Sequence, residues 1–85
     1  MKGEPIMTDQ EIRENVRKRL IECRQEKGIT QTDVGKIVGK AKTTIATWEQ
    51  GRSSPDIAQL MRLTAYYQKT LEYMYGVDKD DDKRA

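Results

Sequence analysis

Within residues 41–49, Lys42, Thr43 and Thr47 fall on one side of a helical repeat, while Ile45 and Trp48 fall on the other. Such a segment can anchor itself through its apolar side and offer hydrogen-bonding groups on its free side. Catalytic chemistry is a poor match to the rest of the chain. There is no His and only one Cys. Zinc sites, imidazole acid–base catalysis and Cys–His nucleophilic pairs are therefore excluded within one subunit. The expectation is a binding protein, not an enzyme, with no cofactor and no metal.

Size and composition point the same way. Eighty-five residues make one domain, with little room for a deep catalytic cleft. Phe is absent, so aliphatic side chains must fill the core around one Trp and four Tyr. Charged and hydrophobic residues each reach 35%, which suits a small folded domain with a heavily charged surface. Residues 1–69 hold thirteen Lys/Arg against nine Asp/Glu, a balance of +4, whereas residues 70–85 hold three against five, a balance of −2. A basic body with an acidic tail permits nucleic-acid binding, and it equally describes a mixed solvated surface. One Cys forms no internal disulfide, which fits a reducing cytoplasm; an intermolecular bridge stays open. With no apolar run near the ~20 residues of a membrane span and no secretory leader, the expected location is cytoplasmic.

Capping residues divide the chain into five helical segments, at about 8–27, 31–38, 41–49, 56–67 and 70–75. Thr8 with Glu11 and Asp56 with Gln59 have capping-box spacing, and Met7 with Ile12 has that of a hydrophobic staple. Thr30 can cap the second segment, with Asp33 placed favourably near its positive end. Ile12, Val16, Leu20 and Cys23 form one apolar stripe, which makes Cys23 a small core residue. Ile57, Leu60, Met61 and Leu63 suit a core-facing helix. Gly28, Gly39, Gly51 and Gly76 offer left-handed stops. Gly35 lies inside the second segment, where close approach of another helix, or simple tolerance, would account for it. No stretch alternates with period two, so the fold class is all-α. Residues 1–7 read as an N-terminal arm, 8–76 as one domain, and 77–85 as a charged tail expected to be disordered.

The second and third segments, joined by a few residues around Gly39, have the outline of a helix-turn-helix. Ile45 and Trp48 would hold the later helix to the body and leave its other face free for a major groove about 12 Å wide.

From about Ile12 to Gly76 the chain resembles the lambdoid repressor and Cro family of helix-turn-helix regulators, the XRE type. The resemblance rests on Arg24-x3-Gly28-Ile29-Thr30-Gln31, Thr44-Ile45, Trp48-Glu49-Gln50-Gly51 and Pro55, with Thr70 to Gly76 matching the family's fifth helix. It implies a compact five-helix domain like that of lambda repressor, with 41–49 as recognition helix. Carried over position by position, Lys42, Thr43 and Thr47 would face base edges; Lys can donate to guanine, and Thr can offer a hydroxyl and a methyl. Lys42 can also meet phosphate alone, and Thr47 can be a plain solvated residue. Gln31, Thr44, Gln50 and Arg52 would lie against the DNA backbone, although Gln31 can serve as a cap and Arg52 as an ordinary surface residue. Arg24 and Glu49 match an ion pair that bridges helices 1 and 3. Two departures stand out. Lys40 replaces a usually apolar residue and can favour phosphate, and Ala41 replaces the usual Ser or Thr cap.

The resulting expectation is a sequence-specific transcriptional regulator, a repressor of prophage or mobile-element type, binding double-stranded operator DNA as a homodimer. Helix 5 is the expected dimer contact. An antitoxin whose main partner is a protein toxin is the alternative, and a protein-interaction module that has lost DNA binding is a third reading.

Overall fold

Side-chain caps start four of the five helices and fix where each begins. The computed structural model describes residues 7–77. Thr8 precedes α1 (Asp9–Lys27), Thr30 precedes α2 (Gln31–Val38), Asp56 precedes α4 (Ile57–Tyr67) and Thr70 precedes α5 (Leu71–Tyr75). Each accepts a bond from the third backbone N–H of its helix, one of the donors that a helix start leaves unpaired. Glu11, Asp33 and Gln59 complete the boxes by accepting the cap residue's own N–H at 2.8, 2.9 and 2.8 Å. The Thr30 N–H holds the Asp33 carboxyl below its ordinary value. Because the capping residues are themselves extended, four helices start one residue later than the sequence boundaries. The fourth of these is α3 (Lys42–Glu49), which follows Ala41. Ala41 supplies no side-chain bond, so this helix alone starts without a cap.

One core unites all five helices. Val16, Leu20 and Cys23 of α1 meet Val34 and Val38 of α2, Ile45 and Trp48 of α3, Leu60, Leu63 and Tyr67 of α4, and Met74 of α5. All regular structure among the described residues is helical. α5 is only five residues long, and tertiary contacts hold it in place. The Asn15 amide donates to the Tyr75 carbonyl at 3.0 Å, and Arg19 and Lys69 both lie over the Tyr73 ring, 4.3 and 4.8 Å from its centre.

Two expectations need correction. Ile57 and Met61 do not face the core; they are 56% and 51% exposed. They stand four residues apart on one side of α4, while Leu60, Leu63, Thr64 and Tyr67 take the buried side. Gly35 is buried, but no second helix demands its lack of a side chain. A Cβ there would collide with the Lys40 carbonyl oxygen, in the turn that follows α2. The chain reverses there at Gly39, left-handed at φ 72°, and the Lys40 N–H bonds back to the Gly35 carbonyl at 2.8 Å. The turn is thus folded tightly over Gly35. Apart from Met7 and Val77, the expected arm (1–7) and tail (77–85) lie outside the described residues.

Candidate nucleic-acid interface

The short α2–α3 turn fixes the angle between its helices, and α3 then divides sharply in environment. Ile45, Trp48 and Glu49 are buried, whereas Lys42 and Thr43, in the first turn, are exposed. Lys40 and Ala41 before the helix are exposed too, as are Gln50 and Arg52 after it; Thr44 and Thr47 are half-buried. Lys40, Lys42 and Arg52 make no ion pair among the described residues, so three cations lie on or beside one short helix without internal neutralisation.

Behind that exposed face, a single carboxylate ties three helices together. Arg24 of α1 donates to Glu49 through Nε (2.7 Å to Oε2) and Nη2 (3.0 Å to Oε1). Gln31 of α2 donates its Nε2 to the same Oε1 at 3.0 Å. The third guanidinium edge of Arg24 reaches the Ile29 carbonyl at 3.1 Å. The Glu49 side chain is 8% exposed and that of Arg24 20%, so water does little to screen the pair. The bonds it donates to Glu49 raise the Arg24 pKa above its ordinary value, and the arginine keeps its charge.

These bonds alter the roles that two candidate residues can play. One N–H of the Gln31 amide is committed to Glu49, so its second N–H, its carbonyl and the backbone N–H groups opening α2 are what this position has left to offer. Thr47 donates its hydroxyl to the Thr44 carbonyl at 2.7 Å, leaving it an acceptor toward the Ser53 hydroxyl at 2.9 Å. The Thr47 carbonyl also accepts the N–H groups of Arg52 and Ser53, at 3.0 and 3.4 Å. Thr47 therefore holds the following loop in place as well as bordering the outer face of α3. The Gln31–Glu49 bond could not be read from the helical repeat, because it depends on a neighbour brought in by the α2–α3 turn, whereas the Thr47–Thr44 bond lies within one turn of α3.

The family described as HTH_3, helix-turn-helix, matches residues 20–74, from the middle of α1 through α5. The chain belongs to the XRE-type helix-turn-helix family. Members of this family are DNA-binding transcriptional regulators, and the chain is a regulator with this domain. An uncharacterised HTH-type transcriptional regulator of Haemophilus influenzae is 38% identical over 71 residues, covering 78% of this chain and 72% of that protein. The HTH-type transcriptional regulator PuuR of Escherichia coli is 32% identical over 66 residues, covering 78% of this chain and 36% of its own length. ImmR of Bacillus subtilis, another HTH-type transcriptional regulator, is 29% identical over 66 residues, covering 78% of this chain and 52% of its own length. The XRE-type domain here thus spans only part of PuuR and about half of ImmR. A crystal structure of an HTH_3 family transcriptional regulator from Vibrio cholerae shares the fold, with a TM-score of 0.68 at 22% identity over 84% of this chain and 40% of that one. Among the described residues, no helix is long and apolar enough to cross a membrane.

Proposed function

We propose that the protein is a sequence-specific repressor of prophage or mobile-element type, reading operator DNA by laying α3 in the major groove. The observation that carries this reading is the division of α3: Ile45, Trp48 and Glu49 anchor it, and Lys42 and Thr43 stand free at its start. A helix about 10–12 Å across fits a groove about 12 Å wide. In this reading Lys42 and Thr43 touch base edges directly. Thr47 adds its methyl and its remaining acceptor capacity, since its proton is already engaged.

Phosphate contacts fall to residues on either side of the groove-reading turn. Lys40 precedes α3, Thr44 lies within it, Gln50 and Arg52 follow it, and Gln31 opens α2, whose first N–H groups form a ready anion site. The Arg24–Glu49–Gln31 cluster orients α3 and makes no base contact itself. Its value is geometric, because desolvation offsets much of the Coulomb attraction of a buried pair. The repressor role draws on the resemblance to lambdoid repressors, as does action as a homodimer in the cytoplasm on two half-sites about 34 Å apart.

Selection of preferred duplexes from a random pool tests the proposal. The expected product is a pair of related half-sites one helical turn apart. For a dimer making about 6–10 phosphate contacts, affinity should fall roughly 10³–10⁵-fold between 50 and 200 mM salt. A pool that yields no enriched sequence, or co-purification of a toxin-like partner covering the exposed side of α3, would overturn it.

A further inference from the structure

A second cationic position stands beside the α3–α4 loop, contributed by the part of α1 that precedes the family match. Arg13, exposed on α1, lines a cleft of about 410 Å³ together with Gly51, Arg52, Ser53 and Ser54. An adjoining cleft shares Arg13, Gly51 and Ser54 and adds Gln10 and Glu14. Glu14 is the only carboxylate lining either cleft, and Arg17 engages both of its oxygens. That bond holds the Glu14 carboxyl below its ordinary value, so it stays ionised and bound to Arg17. Arg13 and Arg52 make no ion pair among the described residues. The charge left facing the cleft is therefore two guanidinium groups, beside two serines.

The loop is held against the recognition helix. Thr47 accepts the Arg52 and Ser53 N–H groups and bonds the Ser53 hydroxyl, which places the cleft next to the C-terminal end of α3. Arg17 fastens the same stretch to α1, donating to the Glu49 carbonyl at 3.4 Å. A helix about 10–12 Å across fills a groove about 12 Å wide, so with α3 lying in it a bordering phosphate row runs beside the loop that leaves its C-terminal end. Two guanidinium forks suit a phosphodiester, which they can grip in planar, bidentate fashion.

From this we infer that Arg13 and Arg52 form a two-arginine clamp on one backbone phosphate, extending the DNA contact from the helix-turn-helix onto α1. The inference rests on the proposed groove reading and adds a residue outside it. The test uses the full chain and a duplex from the selection, with affinity measured by fluorescence anisotropy from 0.05 to 0.4 M salt. Each phosphate no longer neutralised lowers the slope of log affinity against log salt by ~0.9, about 1.8 for a dimer that loses one in each half-site. Arg13→Ala should lower the slope by part of that amount, since Arg52 still faces the phosphate, and the double variant with Arg52→Ala by all of it, with the helix content and melting of both unchanged. Lys18→Ala, five residues on and about 140° round the same helix, should keep the parent slope. In duplexes carrying one neutral methylphosphonate each, the clamped position should weaken Arg13→Ala less than it weakens the parent, and every other contacted position should weaken both alike. A parent that binds with Arg13→Ala unchanged in slope overturns the clamp alone. A parent that binds no duplex overturns both readings.

Discussion

The Glu49 carboxylate is held edge-on by Arg24, through contacts of 2.7 and 3.0 Å that join α3 to α1. The two partners are unequally exposed, 8% for the Glu49 side chain and 20% for Arg24, and this predicts unequal mutational costs. Arg24→Ala strands a charge that cannot reach water and should cost about 3 kcal/mol. Glu49→Ala leaves a long guanidinium able to turn outward and should cost less. Urea denaturation of both variants checks the order, and equal losses would contradict the burial argument.

Gly35 and Gly39 should respond differently to alanine. At Gly35 the added methyl meets the rigid Lys40 carbonyl, so Gly35→Ala should destabilise by about 1–3 kcal/mol despite the better helix propensity of Ala. At Gly39 there is open space, and only the left-handed backbone, φ 72°, resists. Gly39→Ala should cost about 1–2 kcal/mol with no displacement of the turn. Thermal melts give the energies, and amide chemical shifts around Lys40 report the displacement.

Supplying the missing cap of α3 should stabilise the protein. Ala41 already has the extended backbone of a cap, φ −73° and ψ 157°, so Ala41→Ser needs no rearrangement. The expected gain is about 0.5–2 kcal/mol, read as a higher urea midpoint at unchanged m-value.

Alkaline pH should weaken the fold through two buried acids. Burial pushes both the Cys23 thiol and the Tyr67 phenol above their ordinary values of 9.0 and 10.0. The folded state then keeps protons that the unfolded chain releases. Their contribution is complete below pH 9.0, and it is lost as pH climbs through the raised folded values. Stability measured from pH 8 to 11 should decline, and Cys23→Ala should remove the earlier part of that decline. The same burial predicts slow thiol labelling at neutral pH, with the rate following unfolding.

On DNA, Lys42→Ala and Arg52→Ala should separate base reading from backbone attachment. Loss of Lys42 should flatten preference at one base pair, by about 1–3 kcal/mol if its contact is a good one. Loss of Arg52 should weaken every duplex alike and lower the salt slope. Binding of a panel of single-site operator variants distinguishes the two, and parent-like behaviour of both would place the interface elsewhere.

Much of this protein was legible in its sequence because the deciding interactions are local. Capping boxes join residues three apart, apolar stripes repeat at three and four, and a helix-turn-helix is two such helices separated by a short turn. Thr8, Thr30, Asp56 and Thr70 thus announced four helix starts, and Ile45 with Trp48 marked the anchored side of α3. Periodicity says that a stripe exists but not which neighbour will cover it, and Ile57 and Met61 are left exposed for want of one. The sharing of Glu49 between Arg24 and Gln31, the bond between the Thr47 and Ser53 hydroxyls, the carbonyl over Gly35 and the cleft shared by Arg13 and Arg52 required the tertiary structure. Most of these contacts link residues far apart in the chain; the shorter-range ones depend on how a turn folds back. Only the crossing angles and turns of the tertiary structure bring such groups within hydrogen-bonding reach.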